Sequence, residues 1–149
     1  MNFRLQDIRE NMELSQKEVA DILKVSQPTY SRWEKEVEII PLNKLILLAN
    51  YYGISLDYIC NLSNIKKESK AYNYKVDKKI SGNNIVTFRK EKNLTQKELA
   101  LFLNTTPSTV CAYEKGNTLI LTAFLYQIAK EFNISMDWFV GASTRIKRL

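Results

Sequence analysis

The sequence contains no histidine, and only 2 cysteines, 4 glycines and 3 prolines occur among its 149 residues. The absence of histidine removes the commonest general base and metal ligand, and no Cys/His cluster or Gly-rich phosphate loop is present. Carboxylate or lysine catalysis stays chemically open, but no motif gathers such groups into one place. Scarce glycine and proline beside 45% hydrophobic residues indicate a folded, helical protein. We therefore expect an all-α protein that is not an enzyme and binds no cofactor.

Long apolar runs are also missing, since no uninterrupted stretch approaches the roughly 20 residues that a helix needs to cross a bilayer. The chain opens with Met-Asn-Phe-Arg and leads into a helical pattern instead of a signal-peptide core. We therefore expect a cytoplasmic protein with no membrane partner. The charge is unbalanced, with 22 basic and 16 acidic residues and a net charge of +6. This excess fits an anionic partner without identifying one.

Residues 14–35 have the pattern of two short helices joined by a tight turn. Ser15, followed three residues later by Glu18, is a capping-box signature for the start of the first helix. Ser26 caps the second, and Pro28 lies in its first turn, where a missing N–H costs little. The outward positions of this second helix carry mostly amide, hydroxyl and guanidinium groups. Such groups suit hydrogen bonding to base edges in a DNA major groove.

The same pattern recurs 80 residues later without a gap. Identical residues at this offset include Arg9 and Arg89, Gln16 and Gln96, and Glu34 and Glu114. In each copy a first helix, the helix pair, a fourth helix and a short fifth helix can be placed by periodicity and capping residues. The sequence thus predicts two tandem five-helix domains, 1–62 and 83–149, the second with a basic C-terminal tail. Residues 63–82 form a basic linker, interpreted as a solvated connector, with a helical segment within 65–79 as the alternative.

Three motifs are Leu-Ser-Gln-Lys-Glu-Val-Ala at 14–20, Ser-Gln-Pro-Thr-Tyr-Ser-Arg-Trp-Glu-Lys at 26–35 and Ile-Ser-Leu-Asp-Tyr-Ile at 54–59. They resemble the helix-turn-helix of phage repressor and Cro-type regulators, the XRE family. The resemblance implies two repressor-like domains that bind double-stranded DNA and regulate transcription by occupying an operator, with no small-molecule ligand. The alternative is a protein-interaction module in which one copy, the second, has lost base reading and serves dimerisation or recruitment. A homodimer therefore stays open.

The resemblance also assigns candidate DNA contacts to the start of the second helix, the outward face of the third and the loop that follows. These are Gln16, Lys17, Gln27, Pro28, Ser31, Arg32 and Lys35 in the first copy, and Gln96, Lys97, Thr106, Pro107, Ser108, Lys115 and Asn117 in the second. Gln16, Gln96 and the lysines are interpreted as phosphate contacts, which position a protein on DNA without reading sequence. Their alternative is an ordinary solvated side chain.

The base-reading positions differ between the copies. Arg32 can pair bidentately with guanine and Gln27 with adenine, whereas Pro107, Ser108, Cys111 and Ala112 are short. The first copy is therefore expected to be the better direct reader. Its following loop departs from the family, because Glu36 and Glu38 should repel a phosphate backbone, whereas the second copy keeps Lys-Gly-Asn-Thr at 115–118.

Two further features have competing interpretations. The family resemblance implies that Arg9 pairs with Glu34 and Arg89 with Glu114, fixing the first helix of each copy against the third. The alternative is a surface ion pair worth about 0–1 kcal/mol. Cys111 lies on the predicted reading face and could sense redox conditions, but a single cysteine without a nearby partner is more often inert.

Overall fold

The structure, a computed structural model, describes residues 1–66 and 75–147. These residues form ten α-helices, and within them no strand is present beyond one isolated bridge between Ile134 and Lys147. The chain divides into two compact units between residues 74 and 75. The prediction of an all-α protein built from two helix-turn-helix domains is confirmed. Across the described part of the chain, every helix is too short or too polar to traverse a membrane.

The first unit contains five helices, α1 (Leu5–Asn11), α2 (Gln16–Leu23), α3 (Gln27–Glu34), α4 (Leu42–Tyr52) and α5 (Leu56–Ile59). The second contains α6 (Lys78–Glu91), α7 (Gln96–Leu103), α8 (Pro107–Glu114), α9 (Thr122–Phe132) and α10 (Met136–Phe139). The helices of the second unit follow those of the first at the offset of 80 residues, except that α6 begins earlier than α1.

The helix boundaries follow from local capping chemistry. The Ser15 hydroxyl accepts the Glu18 N–H while the Glu18 carboxylate accepts the Ser15 N–H, which completes a capping box at the start of α2. Thr95 and Glu98 repeat this arrangement at α7. Gly53 ends α4 with a left-handed backbone at φ 65°, as glycine does readily at a helix C-terminus. Short-range signals therefore fix most helix ends.

An apolar core in each unit holds the third helix by one face. In the first unit Tyr30 and Trp33 of α3 are buried, as are Leu5 of α1, Leu23 of α2 and Leu45 of α4. In the second unit Val110 and Tyr113 of α8 are buried in the same way. Burial of one face leaves the opposite face of α3 and of α8 at the surface, where the candidate contacts lie.

The expected linker of residues 63–82 needs correction at both ends. At its start, the Ser63 carbonyl accepts a hydrogen bond from Arg4 Nη1 at 2.8 Å, so this segment packs on the first unit. At its end, Asp77 caps α6, and residues 78–82 are helical. Gly82 is buried inside α6 and lies close to the end of α8. A Cβ at this position would collide with the Tyr113 carbonyl oxygen and lie 2.7 Å from the Glu114 carbonyl oxygen, so the packing requires glycine here. Residues 67–74, with most of the alternative helical segment, and the end of the basic tail lie outside the described residues.

Candidate nucleic-acid interface

A bidentate ion pair holds the third helix of the first unit. Arg9 Nε donates to Glu34 Oε2 at 2.6 Å and Nη2 donates to Oε1 at 3.1 Å, while Nη1 donates to the Leu14 carbonyl at 2.9 Å. The side chains are only 12% and 2% exposed. Arg9 thereby ties α1, the turn before α2 and the end of α3 together, and the pair is not the solvated surface contact of the alternative interpretation.

The second unit repeats this ion pair, and we call each pair, Arg9–Glu34 and Arg89–Glu114, the clamp of its unit. Arg89 Nε donates to Glu114 Oε2 at 2.6 Å, Nη2 donates to Oε1 at 3.0 Å, and Nη1 donates to the Leu94 carbonyl at 2.9 Å. Its hydrogen bond to Glu114 raises the pKa of the Arg89 guanidinium above its usual value. The two third helices are therefore fixed by the same device.

The Glu34 carboxylate also carries a chain of two glutamines. Gln16 Nε2 donates to Glu34 Oε1 at 3.1 Å, and Gln27 Nε2 donates to Gln16 Oε1 at 2.7 Å. Burial acts to raise the pKa of the Glu34 carboxyl, but the favourable interactions of the carboxylate, chiefly the hydrogen bonds from Arg9 and Gln16, outweigh burial, so the pKa is lowered. In this way the Glu34 carboxylate at the end of α3 orients, through Gln16, the amide of Gln27 at the exposed start of the same helix.

The second unit keeps only part of this chain. Gln96 Nε2 donates to Glu114 Oε1 at 3.0 Å, but Pro107 stands where Gln27 stands in the first unit and has no side-chain donor. The Thr106 hydroxyl is within 3.0 Å of the Ser108 hydroxyl and 2.9 Å of that of Thr109, so these hydroxyls bond one another. The start of α8 therefore presents fewer groups able to reach beyond the helix surface.

The other candidate contacts are at the surface of their units. Those that are exposed are Lys17, Gln27, Pro28, Arg32 and Lys35 in the first unit, and Lys97, Thr106, Pro107, Ser108, Lys115 and Asn117 in the second. Those that are half-buried are Gln16, Ser31, Gln96, Cys111 and Ala112. All of the candidates therefore lie at the surface of their units, and the small residues Cys111 and Ala112 of α8 are partly covered.

The two loop carboxylates, which are expected to repel a phosphate backbone, each have a partner within the first unit. Glu36 Oε2 accepts the Asn2 N–H and Oε1 accepts the Phe3 N–H, both at 3.0 Å. Burial would raise the pKa of the Glu36 carboxyl, but the hydrogen bonds from Phe3 and Asn2 lower it. Glu38 Oε1 accepts a hydrogen bond from Arg32 Nη2 at 2.8 Å. Sequence reasoning missed both contacts, although the position of Glu36, equivalent to Gly116, indicates an unusual backbone there.

Two buried tyrosines, Tyr30 and Tyr52, lie near the clamp carboxylate of Glu34. Burial raises the pKa of Tyr52 to about 12, and the nearby Glu34 charge adds to the effect. Burial also raises the pKa of Tyr30 far above its usual range. Val110 and Phe132 stand at these positions in the second unit, which therefore lacks both of these phenols.

Comparison with known proteins gives matches in both units. A family model described as helix-turn-helix matches residues 5–59 and 85–139. HTH-type transcriptional regulator YobD of Bacillus subtilis (strain 168), described as uncharacterized, is 33% identical over 60 residues, covering 40% of this chain and 54% of that protein. The chain thus spans about half the length of this curated relative.

Solved structures give partial matches. A transcriptional regulator from Listeria innocua is 28% identical with a TM-score of 0.40, over 46% of this chain and 64% of that one. The clp gene regulator ClgR from Corynebacterium glutamicum is 21% identical with a TM-score of 0.39, over 42% and 66%. The two segments matched by the family model make up most of the chain and lie at the internal offset of 80 residues. The protein belongs to the helix-turn-helix family of the phage repressor and Cro type, the XRE family, and carries two tandem copies of its domain.

Proposed function

We propose that the protein is a cytoplasmic, sequence-specific DNA-binding regulator of transcription that represses by occupying an operator and needs no cofactor. The observation that carries this proposal is the exposed third helix of each unit, held by a mostly buried bidentate ion pair. A helix that reads DNA must keep its orientation relative to the rest of its domain when it enters the major groove. The names of the similar proteins, which describe transcriptional regulators, support the same function.

Phosphate contacts in this proposal come from the starts of α2 and α7 and from nearby lysines. Gln16 and Gln96 each use one Nε2 hydrogen on the clamp carboxylate, which leaves the second for a phosphate oxygen. The helix N-terminus adds backbone N–H groups and a positive dipole. The neighbouring lysines that would add positive charge are Lys17, Lys35, Lys97 and Lys115, and Asn117 would contribute an amide.

Base contacts in the first copy would come from Gln27 and Arg32, flanked by Pro28 and Ser31. Gln27 is oriented by Gln16 and keeps its Oε1 and one Nε2 hydrogen, which match the donor and acceptor of an adenine edge. In the second copy, Thr106, Pro107 and Ser108 are too short for bidentate pairing. This copy would therefore contribute mainly phosphate contacts.

A second candidate function is protein interaction by the second copy. Leu101 on α7 is 81% exposed and Leu121, just before α9, is 56% exposed, whereas Asp21 and Pro41 stand at these positions in the first copy. An exposed leucine offers DNA no hydrogen bond, and it can pack against another protein where it belongs to a larger apolar patch. A homodimer held by second copies would be one result.

Selection of bound sequences from a random double-stranded DNA pool separates these functions. The full chain should enrich a motif, because base contacts by one copy suffice for preference. Affinity for that motif should fall steeply between low and physiological salt, since phosphate contacts release counterions. Failure to enrich any motif, or binding that hardly responds to salt, would favour the interaction module.

A further inference from the structure

Arg32, which we assign to a base contact, already has an acidic partner in the protein. Its Nη2 donates to Glu38 Oε1 at 2.8 Å, and the two side chains are 54% and 51% exposed. A guanidinium bound to a carboxylate is partly neutralised and has a donor occupied. The contact therefore bears directly on whether Arg32 is available to DNA.

The direction of the contact is unfavourable for base reading. Side chains on a helix lean toward its N-terminus, and the proposed base contacts Gln27 and Pro28 lie at that end of α3. Arg32 instead reaches Glu38, which lies beyond Glu34, the last residue of the helix. A contact with a base edge near the start of α3 thus requires Arg32 to leave Glu38.

The loop after α3 brings Glu38 back to Arg32. The Arg32 carbonyl accepts the Val37 N–H at 3.0 Å and the Glu38 N–H at 3.5 Å. Just before them, Glu36 has a left-handed backbone at φ 55°, and its carboxylate is held by the Phe3 N–H. The position of Glu38 is therefore set by a turn that is itself anchored to the rest of the domain.

The second copy lacks both members of the pair. Ala112 and Thr118 stand where Arg32 and Glu38 stand in the first copy. The loop backbone is shared, since the Ala112 carbonyl accepts the Asn117 N–H at 3.0 Å, as the Arg32 carbonyl accepts the Val37 N–H. The turn thus forms without a carboxylate at this position. Of the two copies, only the first, which has Arg32, has a glutamate there, Glu38.

We propose that Glu38 is an affinity-determining residue that competes with DNA for Arg32, so that docking of the first copy exchanges the carboxylate for an acceptor on DNA. This inference rests on the proposed function and adds a built-in restraint to it. Exposed ion pairs are weak, so the restraint on affinity is about two- to fivefold and the exchange is readily made. Glu38 also repels phosphates in general, and the experiment has to separate the two effects.

The experiment is a double-mutant cycle on the full chain, with the DNA site that the wild-type chain selects. Glu38→Gln should raise affinity about two- to fivefold when Arg32 is present. In the Arg32→Ala background the same change should have a clearly smaller effect. Thr118→Glu serves as the matched control, because it adds a carboxylate to the equivalent loop without an arginine and measures repulsion alone.

The outcomes distinguish this inference from the function on which it rests. Equal gains with and without Arg32 would overturn it, because they would come from repulsion alone. Lower affinity of the Glu38→Gln chain would also overturn it, since Glu38 would then position Arg32 for DNA. Both of these outcomes leave the proposed function intact, whereas a chain that binds no DNA in any variant contradicts the function and the inference together.

Discussion

Glu36 and Gly116 occupy equivalent positions after the third helix of their copies, and both have a left-handed backbone, with φ of 55° and 74°. In the first copy the Glu36 carboxylate accepts the Phe3 N–H at 3.0 Å, which holds a non-helical segment before α1. In the second copy α6 approaches this turn, and a Cβ on Gly116 would lie 2.9 Å from Lys79 Cγ. The same backbone turn thus contacts a non-helical N-terminal segment in the first copy and the first turn of α6 in the second.

This relationship predicts an order of stability at residue 36. Glu36→Ala should lower the free energy of unfolding of the first copy more than Glu36→Gly does, by about 1 kcal/mol. Both changes remove the hydrogen bonds of the carboxylate, but only alanine keeps the strain of a positive φ. Urea unfolding followed by Trp33 fluorescence in a Trp138→Phe chain measures the difference. Equal stability of the two variants would show that no strain is stored there.

The clamp makes a prediction about buried charge. Arg9→Met should destabilise the first copy by about 3 kcal/mol, because it leaves the carboxylate of Glu34 buried without its partner. The double variant Arg9→Met with Glu34→Met should recover much of this loss, since no charge then stays buried. Glu10→Gln, at an exposed neighbour, is the control and should change stability little. A double variant less stable than Arg9→Met alone would contradict this account.

Features with a local signal could be predicted from the sequence. Ser15 and Glu18 are three residues apart, so their capping box follows from helix geometry. The internal offset of 80 residues then transfers each such feature to the second copy. The Arg9–Glu34 clamp spans 25 positions and was expected only through the family resemblance.

Features without a local signal could not be predicted. The contact of Glu36 with the Phe3 N–H joins residues 33 positions apart, and no periodicity marks either one. Gly82 was assigned to the linker because it ends a lysine-rich stretch in which the helical pattern is lost. Its place inside α6 depends on a close approach to the Glu114 carbonyl, which only the packed structure reveals. Tertiary contacts therefore decide where the linker ends and α6 begins, and the local sequence pattern placed this boundary wrongly.

Acid should weaken the first copy through Glu34 and Glu36. Both carboxyl groups have a folded-state pKa below the usual value, so their stabilisation is present above about pH 4–5, near the unfolded pKa, and is lost as pH falls through the lower folded pKa. Trp33 fluorescence in the Trp138→Phe chain reports urea unfolding at pH 7 and in mild acid. Glu36→Gln should reduce the difference between the two pH values. An unchanged difference would mean that Glu36 is not among the titrating groups.

Arg32 should contribute to sequence preference as well as affinity. Arg32→Ala should cost about 1–3 kcal/mol on the selected site and relax the preference at one base pair. Lys17→Ala is the matched comparison, because a phosphate contact should weaken binding to all sequences alike. Competition binding against a set of single-base variants of the site measures both. A uniform loss on Arg32→Ala would reassign this residue to the phosphate backbone.

The unequal reading faces predict an asymmetric DNA site. Gln27 and Arg32 can make bidentate base contacts, whereas Pro107 and Ala112 cannot. The half-site under the first copy should therefore be well defined and the half-site under the second degenerate. Residues 67–77 can span at most roughly 40 Å when extended, which exceeds the approximately 34 Å between half-sites one helical turn apart. Linkage would raise affinity through effective concentration even where the second copy contacts only phosphates.

Transfer of the first reading face to the second copy tests this asymmetry directly. A chain with Pro107→Gln and Ala112→Arg should select a site whose second half is sharper and resembles the first, because the same groups then reach base edges from both copies. Selection from a random pool with the wild-type chain in parallel gives the comparison. A palindrome selected by the wild-type chain would instead indicate a homodimer that presents two first copies. In that case the transferred side chains would leave the selected site unchanged, since second copies would lie away from DNA.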